Sequence, residues 1–268
     1  MSLNLQRCQV VSTGVNVSNY KETTDLLVGW SRTDEGRVVC VAPVHPIMEA
    51  FDKRNYRAVL NAADFVTADG MPVVWSQRLL GFPEAERVYG PTLTLQLCER
   101  CAAEGIPIGL YGGSPAALEA MQDTLKATFP LLKITYAFSP PFRELTEEED
   151  AAVIDAIRVS GCRVLFVGLG TPKQDLWMAA HRERLPLVQI GVGAAFDFIS
   201  GRKRQAPGWM QRAGLEWFFR LCCEPRRLWF RYFWHNPRFV ALVAWQYLGH
   251  RHRPEASPDN LTVNTRSY

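Results

Sequence analysis

Nowhere in the 268 residues do the roughly eighteen apolar residues of a membrane-crossing helix follow one another. The nearest candidate, PRFVALVAWQYLGH from Pro237 to His250, offers about 11 from Phe239 to Gly249, enough to lie on a bilayer and too few to cross it. The N-terminal MSLNLQRCQVVSTG has no basic stretch leading into an uninterrupted apolar one, so no signal peptide is expected and the protein is expected to stay in the cytoplasm. Seven cysteines (Cys8, Cys40, Cys98, Cys101, Cys162, Cys222 and Cys223) are an odd number set among apolar neighbours, which speaks for reduced, mostly buried thiols. Cys98 and Cys101 form a CxxC, but no second Cys or His pair at zinc spacing accompanies it, and LQLCERCAAEG reads as helix packing. There is no GxGxxG, no Walker A loop and no DxD triplet. The last absence removes the usual carboxylate pair for Mg²⁺ or Mn²⁺ on a sugar nucleotide, and no metal or other cofactor is expected.

What is present begins with an ordinary globular composition, 47% hydrophobic and 21% charged, which excludes disorder and collagen-like repeats. The net charge of +3 hides a division. From Gly201 to Arg253 eleven Lys or Arg stand against two acids, Glu216 and Glu224, a local +9 that leaves −6 for the rest. Such asymmetry signals an anionic partner for the C-terminal part. Five of the eight tryptophans lie there too: Trp209, Trp217, Trp229, Trp234 and Trp245.

Upstream, short apolar runs alternate with helical patterns: CQVVSTGVNV, RVVCVAPV, DFVTADG, IPIGLYGG, LKITYAF, CRVLFVGLG and LVQIGVGAAFDF. Pro115 in the first turn of one helix, and Thr146 and Gly161 at the two ends of another, are start and stop signals. The alternation predicts βαβ units and a mostly parallel sheet with helices on both faces. Ligands bind outside the carboxyl ends of such strands. The loops there are Val41 to Pro46, Thr67 to Pro72, Tyr111 to Pro115, Gly168 to Lys173 and Gly191 to Asp197, and four of the five contain glycine. Gly112 and Gly113, with Gly168, Gly170 and Lys173, fit a cradle for a nucleotide diphosphate; they fit equally two tight turns that need glycine for geometry alone. Asp69 in TADGMPVVW falls between a strand and a helix, the place of a general base that takes an acceptor's proton while a pyrophosphate leaves. A solvated Asp-Gly turn has the same pattern. After Phe198 the chain turns to a basic turn and helices rich in Arg and Trp, which fit either packing on the domain or contact with lipid phosphates. The polar HRPEASPDNLTVNTRSY at the end reads as a flexible tail.

With these residues in hand, the chain resembles the WecG/TagA/CpsF family, glycosyltransferase family 26, from about Val10 to Tyr232. The resemblance rests on TADGMPVVW, RVYGPTL, LYGGSP, VGLGTPKQDLWM, GVGAAFDFISGRKRQAPGW and GLEWFFRLCCEPRRLW in that order. It implies an inverting, metal-independent transfer of a hexose (glucose, N-acetylmannosamine or its uronic acid) from a UDP-sugar to a polyprenyl-pyrophosphate-linked saccharide. Members build enterobacterial common antigen, teichoic acid linkage units, capsules and exopolysaccharides. The resemblance makes Asp69 the base and Gln174 a donor contact, and brings Arg220, Arg227 and Arg231 over the pyrophosphates while the appendage meets an anionic membrane surface. His45, Gly70, Arg87, Gly112, Gly113, Gly168, Gly170, Lys173 and Asp197 complete the expected substrate-binding set. The sequence departs from the family where Pro43 and His45 replace a threonine and an asparagine of the sugar pocket, where Thr92 replaces an aspartate, and where Asp175 replaces a glutamate.

The expected architecture is thus a Rossmann-like α/β core over residues 1–200, a helical membrane-associating appendage over 201–253 and a tail over 254–268. The protein is expected at the inner face of the cell membrane, and a homo-oligomer is compatible with this picture. A nucleotide-dependent oxidoreductase or epimerase would need the missing GxGxxG and a following acid. A nucleic-acid-binding module finds no recognised motif in the basic region, and no nucleic acid is expected. A non-enzymatic nucleotide- or polyanion-binding module is the remaining alternative.

Overall fold

A computed structural model describes residues 6–251; the tail expected over 254–268 lies outside the described residues. Six strands, β3 (Arg37–Ala42), β4 (Phe65–Ala68), β5 (Ile108–Gly112), β6 (Ile134–Phe138), β7 (Val164–Gly168) and β8 (Val188–Gly191), form one sheet in the order β4-β3-β8-β7-β5-β6. Every pairing in it is parallel. Strands such as RVVCVA and VQIG are apolar without alternation because helices cover both faces. One layer of core contains Val38, Cys40, Val66, Leu165 and Val167, the other Val39, Val41, Phe166, Val188 and Ile190. Alternate residues of one strand thus enter opposite layers, as the pleat requires.

The first apolar run departs from the expected βαβ pattern. β1 (Arg7–Val10) and β2 (Thr13–Asn16) pair antiparallel as a separate two-stranded sheet. Only Val11 and Ser12 join them, with Val11 at φ 57°, and so short a link cannot hold the crossover that parallel neighbours need. The helix signals act as expected. Ser114 caps α6 (Pro115–Thr128) by accepting from the Ala117 N–H, and Thr146 forms a reciprocal capping box with Glu149 at the start of α7 (Glu147–Val159).

All five of these loops lie at one edge, beyond the carboxyl ends of β3, β4, β5, β7 and β8. The chain leaves β5 outward to β6 and leaves β7 inward to β8, so its direction reverses between these two neighbours. Here Gly112 and Gly168 meet. A Cβ on Gly112, at φ +124°, would stand 2.6 Å from the Gly168 carbonyl, and one on Gly168 would stand 2.5 Å from the Phe196 ring.

Three helices end the described chain: α10 (Gly208–Arg212), α11 (Glu216–Cys223) and α12 (Pro225–Arg251). No described helix is long and apolar enough to cross a membrane. The second half of α12 is part of the core, since Phe239 and Val243 are buried in the same layer as β1 and the helix α2 (Val44–Asp52). Arg238 forms a two-pronged ion pair with Asp52 at 2.5 and 2.9 Å, and the Gln246 side chain donates to the Gln9 carbonyl at 2.6 Å and accepts from the Val11 N–H at 2.8 Å. Core packing therefore continues well past residue 200.

Gly112→Ala should lower stability by about 2–4 kcal/mol in urea denaturation, because backbone must shift and a left-handed angle is strained. Gly170→Ala, at φ +79° but with nothing within 4 Å of the added carbon, should cost only about 1–2 kcal/mol.

Candidate functional site

At the β4 and β3 end of this edge a cleft of about 710 Å³, its open mouth included, runs between the core and the C-terminal helices. Its core wall carries Pro43, His45, Asp69, Gly70 and Arg87; its other wall carries Glu216, Trp217, Arg220, Tyr232 and His235. Asp69 is the residue after β4 and Gly70 caps α4 (Met71–Leu79), so the strand end aims the carboxylate outward. The Gly90 N–H, at the head of α5 (Gly90–Glu104), donates to it, and a helix N-terminus favours negative charge. Arg87 is brought alongside because the next residue, Val88, bonds the Ala68 carbonyl at 3.0 Å. Its guanidinium donates to the Asp69 carbonyl, lies 3.5 Å from the Asp69 carboxylate and 2.5 Å from that of Glu216, and stacks over Tyr89 at 4.3 Å. Glu216 and Arg220 are one turn apart on α11, so both face the cleft.

The electrostatics of Asp69 follow from these neighbours. With 16% of its side chain exposed, it is pushed up to about 6, chiefly by burial; Arg87 opposes the shift, Glu216 adds to it, and Arg220 and the Gly90 N–H oppose it again. Burial by itself weakens the charged form of Arg87, but Asp69 and Glu216 outweigh it and leave that residue above its ordinary value. The cleft therefore holds one carboxylate poised near neutrality beside two fixed cations, a combination suited to taking a proton where negative charge is leaving.

Of the candidate site residues and family departures named in the sequence, Pro43, His45, Asp69, Gly70, Arg87 and Arg220 meet in this cleft. The others do not line it. Gly112 and Gly168 touch each other, Gly113 donates to the Gly168 carbonyl at 3.1 Å, and both Gly113 and Gly168 lie against Phe196. At this contact glycine is needed for close packing. Gly170 stays open, and Lys173 is exposed at the head of α8 (Lys173–His181). Gln174 is buried, accepting from the Gly170 N–H at 3.1 Å and filling the space over Gly191 and Gly193, so it fastens two loops together from behind. Asp175 is buried as well, accepts from the Tyr56 hydroxyl at 2.6 Å, and has its carboxyl raised by burial. Asp197 pairs with Lys203 at 2.8 Å.

Arg220 also opens onto a second, basic recess with Phe198, Arg202, Lys203, Arg204 and Glu224. Arg227 is exposed and pairs with Glu224 at 3.2 Å, outside both spaces. Arg231 is a residue of α12. Cys98 and Cys101 are buried within α5, and Cys222 and Cys223 are exposed on α11. Sequence reasoning passed over Glu216, Trp217 and His235. Glu216 was visible there as one of two acids in a basic region, a charge that needs a partner. His235 carried no such signal.

With the geometry described, the family comparison is direct. The model of the glycosyl transferase WecG/TagA/CpsF family matches residues 8–253, and the chain belongs to that family. Its members are glycosyltransferases of cell-envelope polysaccharide biosynthesis, and membership carries a nucleotide-sugar donor and a saccharide acceptor.

The position of Asp69 predicts a pH signature. Its folded-state value lies above the ordinary 3.8, so the native protein holds this proton more tightly than the unfolded chain. The resulting stabilisation is complete below about pH 4 and is lost as pH rises through about 6. Asp69→Asn should therefore be more stable than the parent at pH 8, by on the order of 1–3 kcal/mol, with a much smaller difference at pH 4. Urea denaturation at the two pH values measures it.

Proposed function

We propose that the protein is an inverting transferase that moves one hexose from a UDP-sugar onto a polyprenyl-pyrophosphate-linked saccharide, at the inner face of the cell membrane, in exopolysaccharide or related envelope synthesis. The observation that carries this reading is Asp69, poised near neutrality at a strand end with Arg87 and Arg220 in the same cleft. In the proposed step the acceptor hydroxyl oxygen attacks the anomeric carbon from the side opposite UDP. Its proton passes to Asp69, the bond from the anomeric carbon to the UDP oxygen breaks, and UDP leaves with the electron pair. Arg87, Arg220 and the basic recess of Arg202, Lys203 and Arg204 supply the positive charge that a metal on the diphosphate supplies elsewhere. Glucose, N-acetylmannosamine and its uronic acid are the candidate sugars. Pro43 and His45 border the cleft, which is where the choice among them would be made.

Membrane attachment is supported by the outer face of α12. Trp229, Phe230, Phe233 and Trp234 are all more than half exposed, and the Phe230 and Trp234 rings stack at 6.2 Å. Such a patch, next to exposed Arg226, suits a lipid interface carrying anionic headgroups. Arg238 and Arg227 contribute less to it, because Asp52 and Glu224 already hold them.

Acceptor-dependent UDP release from one donor of a UDP-sugar panel, unchanged by added Mg²⁺ or Mn²⁺, is the expected result with a synthetic polyprenyl-pyrophosphate-sugar. Release from none would return the chain to the polyanion-binding alternative. Asp69→Asn should keep UDP-sugar binding within a few fold and lower turnover by about a hundredfold or more; the parent's turnover should fall as pH drops below about 6. Because α12 completes the core, the membrane role is tested by Phe230→Ser with Trp234→Ser, which should sharply reduce co-sedimentation with anionic vesicles while turnover on a short-chain, detergent-soluble acceptor persists.

A further inference from the structure

We propose that His45, Glu49 and His235 form a binding site for one divalent transition-metal ion of the zinc class, which clasps α12 to α2 at the rim of the cleft. The site goes beyond the transfer chemistry, and the proposed ion is not one on the sugar-nucleotide diphosphate. His45 and Glu49 are one turn apart on α2, so their side chains emerge from one face of that helix. His235 reaches them from α12, its ring 5.2 Å from that of His45 and its Nε2 4.0 Å from Glu49 Oε1. One ligand atom from each of the three residues lies within 4.8 Å of the other two. Nitrogen and oxygen ligands at about 2.0–2.2 Å from a tetrahedral ion stand roughly 3.3–3.6 Å apart, so side-chain rotation closing at most about 1.5 Å completes the set.

Three further features favour an ion here. Two imidazoles and one carboxylate are the donor set of zinc and its neighbours, whereas Mg²⁺ and Ca²⁺ take oxygen. The Glu49 carboxylate is already oriented, because Lys53 holds Oε2 at 2.7 Å while Oε1 faces His235. The surroundings are sheltered, with His235 7% exposed and the Glu49 side chain 17%. Three protein ligands leave a fourth position for water or a substrate oxygen, and both histidines line the cleft. An ion there would fasten the wall of the cleft that α12 provides to the wall that the core provides.

The test uses the full chain, stripped with a chelator and dialysed against Zn²⁺, with Co²⁺ as the spectroscopic probe. One Zn²⁺ per chain, a visible Co²⁺ band of the nitrogen and oxygen type, and a melting temperature raised by Zn²⁺ are expected. His235→Asn and His45→Asn should each weaken Zn²⁺ binding at least tenfold and remove the band. Cys222→Ser with Cys223→Ser should leave both unchanged, and Glu49→Gln, which keeps both rings in place, should weaken Zn²⁺ binding at least tenfold and decides the matter if the histidine variants fail to fold. No stoichiometric binding by the parent chain, binding that survives His235→Asn, or loss of the ion with the two exposed cysteines would each overturn the proposal.

Discussion

The guanidinium of Arg87 lies between two carboxylates from distant parts of the chain, Asp69 behind β4 and Glu216 at the head of α11, and the cleft takes its charge from that arrangement. Burying Asp69 penalises its ionised form, and a bidentate arginine devoted to it would more than repay the cost and leave a weak base. Here the closest contact of Arg87 is to Glu216, and Asp69 receives the more distant share. The compromise keeps Asp69 near neutrality. The same contact ties α11 to the core, so the residue that tunes Asp69 also positions Arg220, one turn along. Glu216 thereby balances part of the positive charge that Arg87 and Arg220 bring to the cleft.

α12 joins two environments in one element. Its first half carries exposed aromatic rings, and its second half contributes Phe239 and Val243 to the core and holds Asp52 through Arg238. Tyr232, His235 and Asn236, between the two halves, line the cleft. A surface bound at the first half would therefore act on a helix anchored at its far end, with the cleft in between. The C-terminal helices thus form one wall of the cleft.

Much of this was legible in the sequence because it depends on local chemistry. The apolar runs gave the six parallel strands, Ser114 and Thr146 capped the helices where their side chains could reach backbone N–H groups, and the position of Asp69 after a strand put it at the ligand-bearing edge. What was not legible depends on partners remote in sequence. A two-residue link turned the first run into a hairpin. Gly112 and Gly168 lie on loops far apart in sequence, and only the fold shows that each packs against the other. The Gln174 amide accepts from the Gly170 N–H and packs over Gly191 and Gly193, a junction of two loops that spacing alone does not show. Glu216 is an acid in a basic stretch until Arg87 is placed beside it, and the periodicity of α12 cannot show which layer of the core Phe239 and Val243 join.

The bonds from Gln246 to Gln9 and Val11 join the opening hairpin to the last described helix. These two bonds span 235 and 237 positions of sequence, so the whole six-stranded sheet lies in the loop that they close. The closure entropy of so long a loop must be met before the bonds add any stability, which makes the junction of hairpin and α12 a reporter of the completed fold rather than a seed of it.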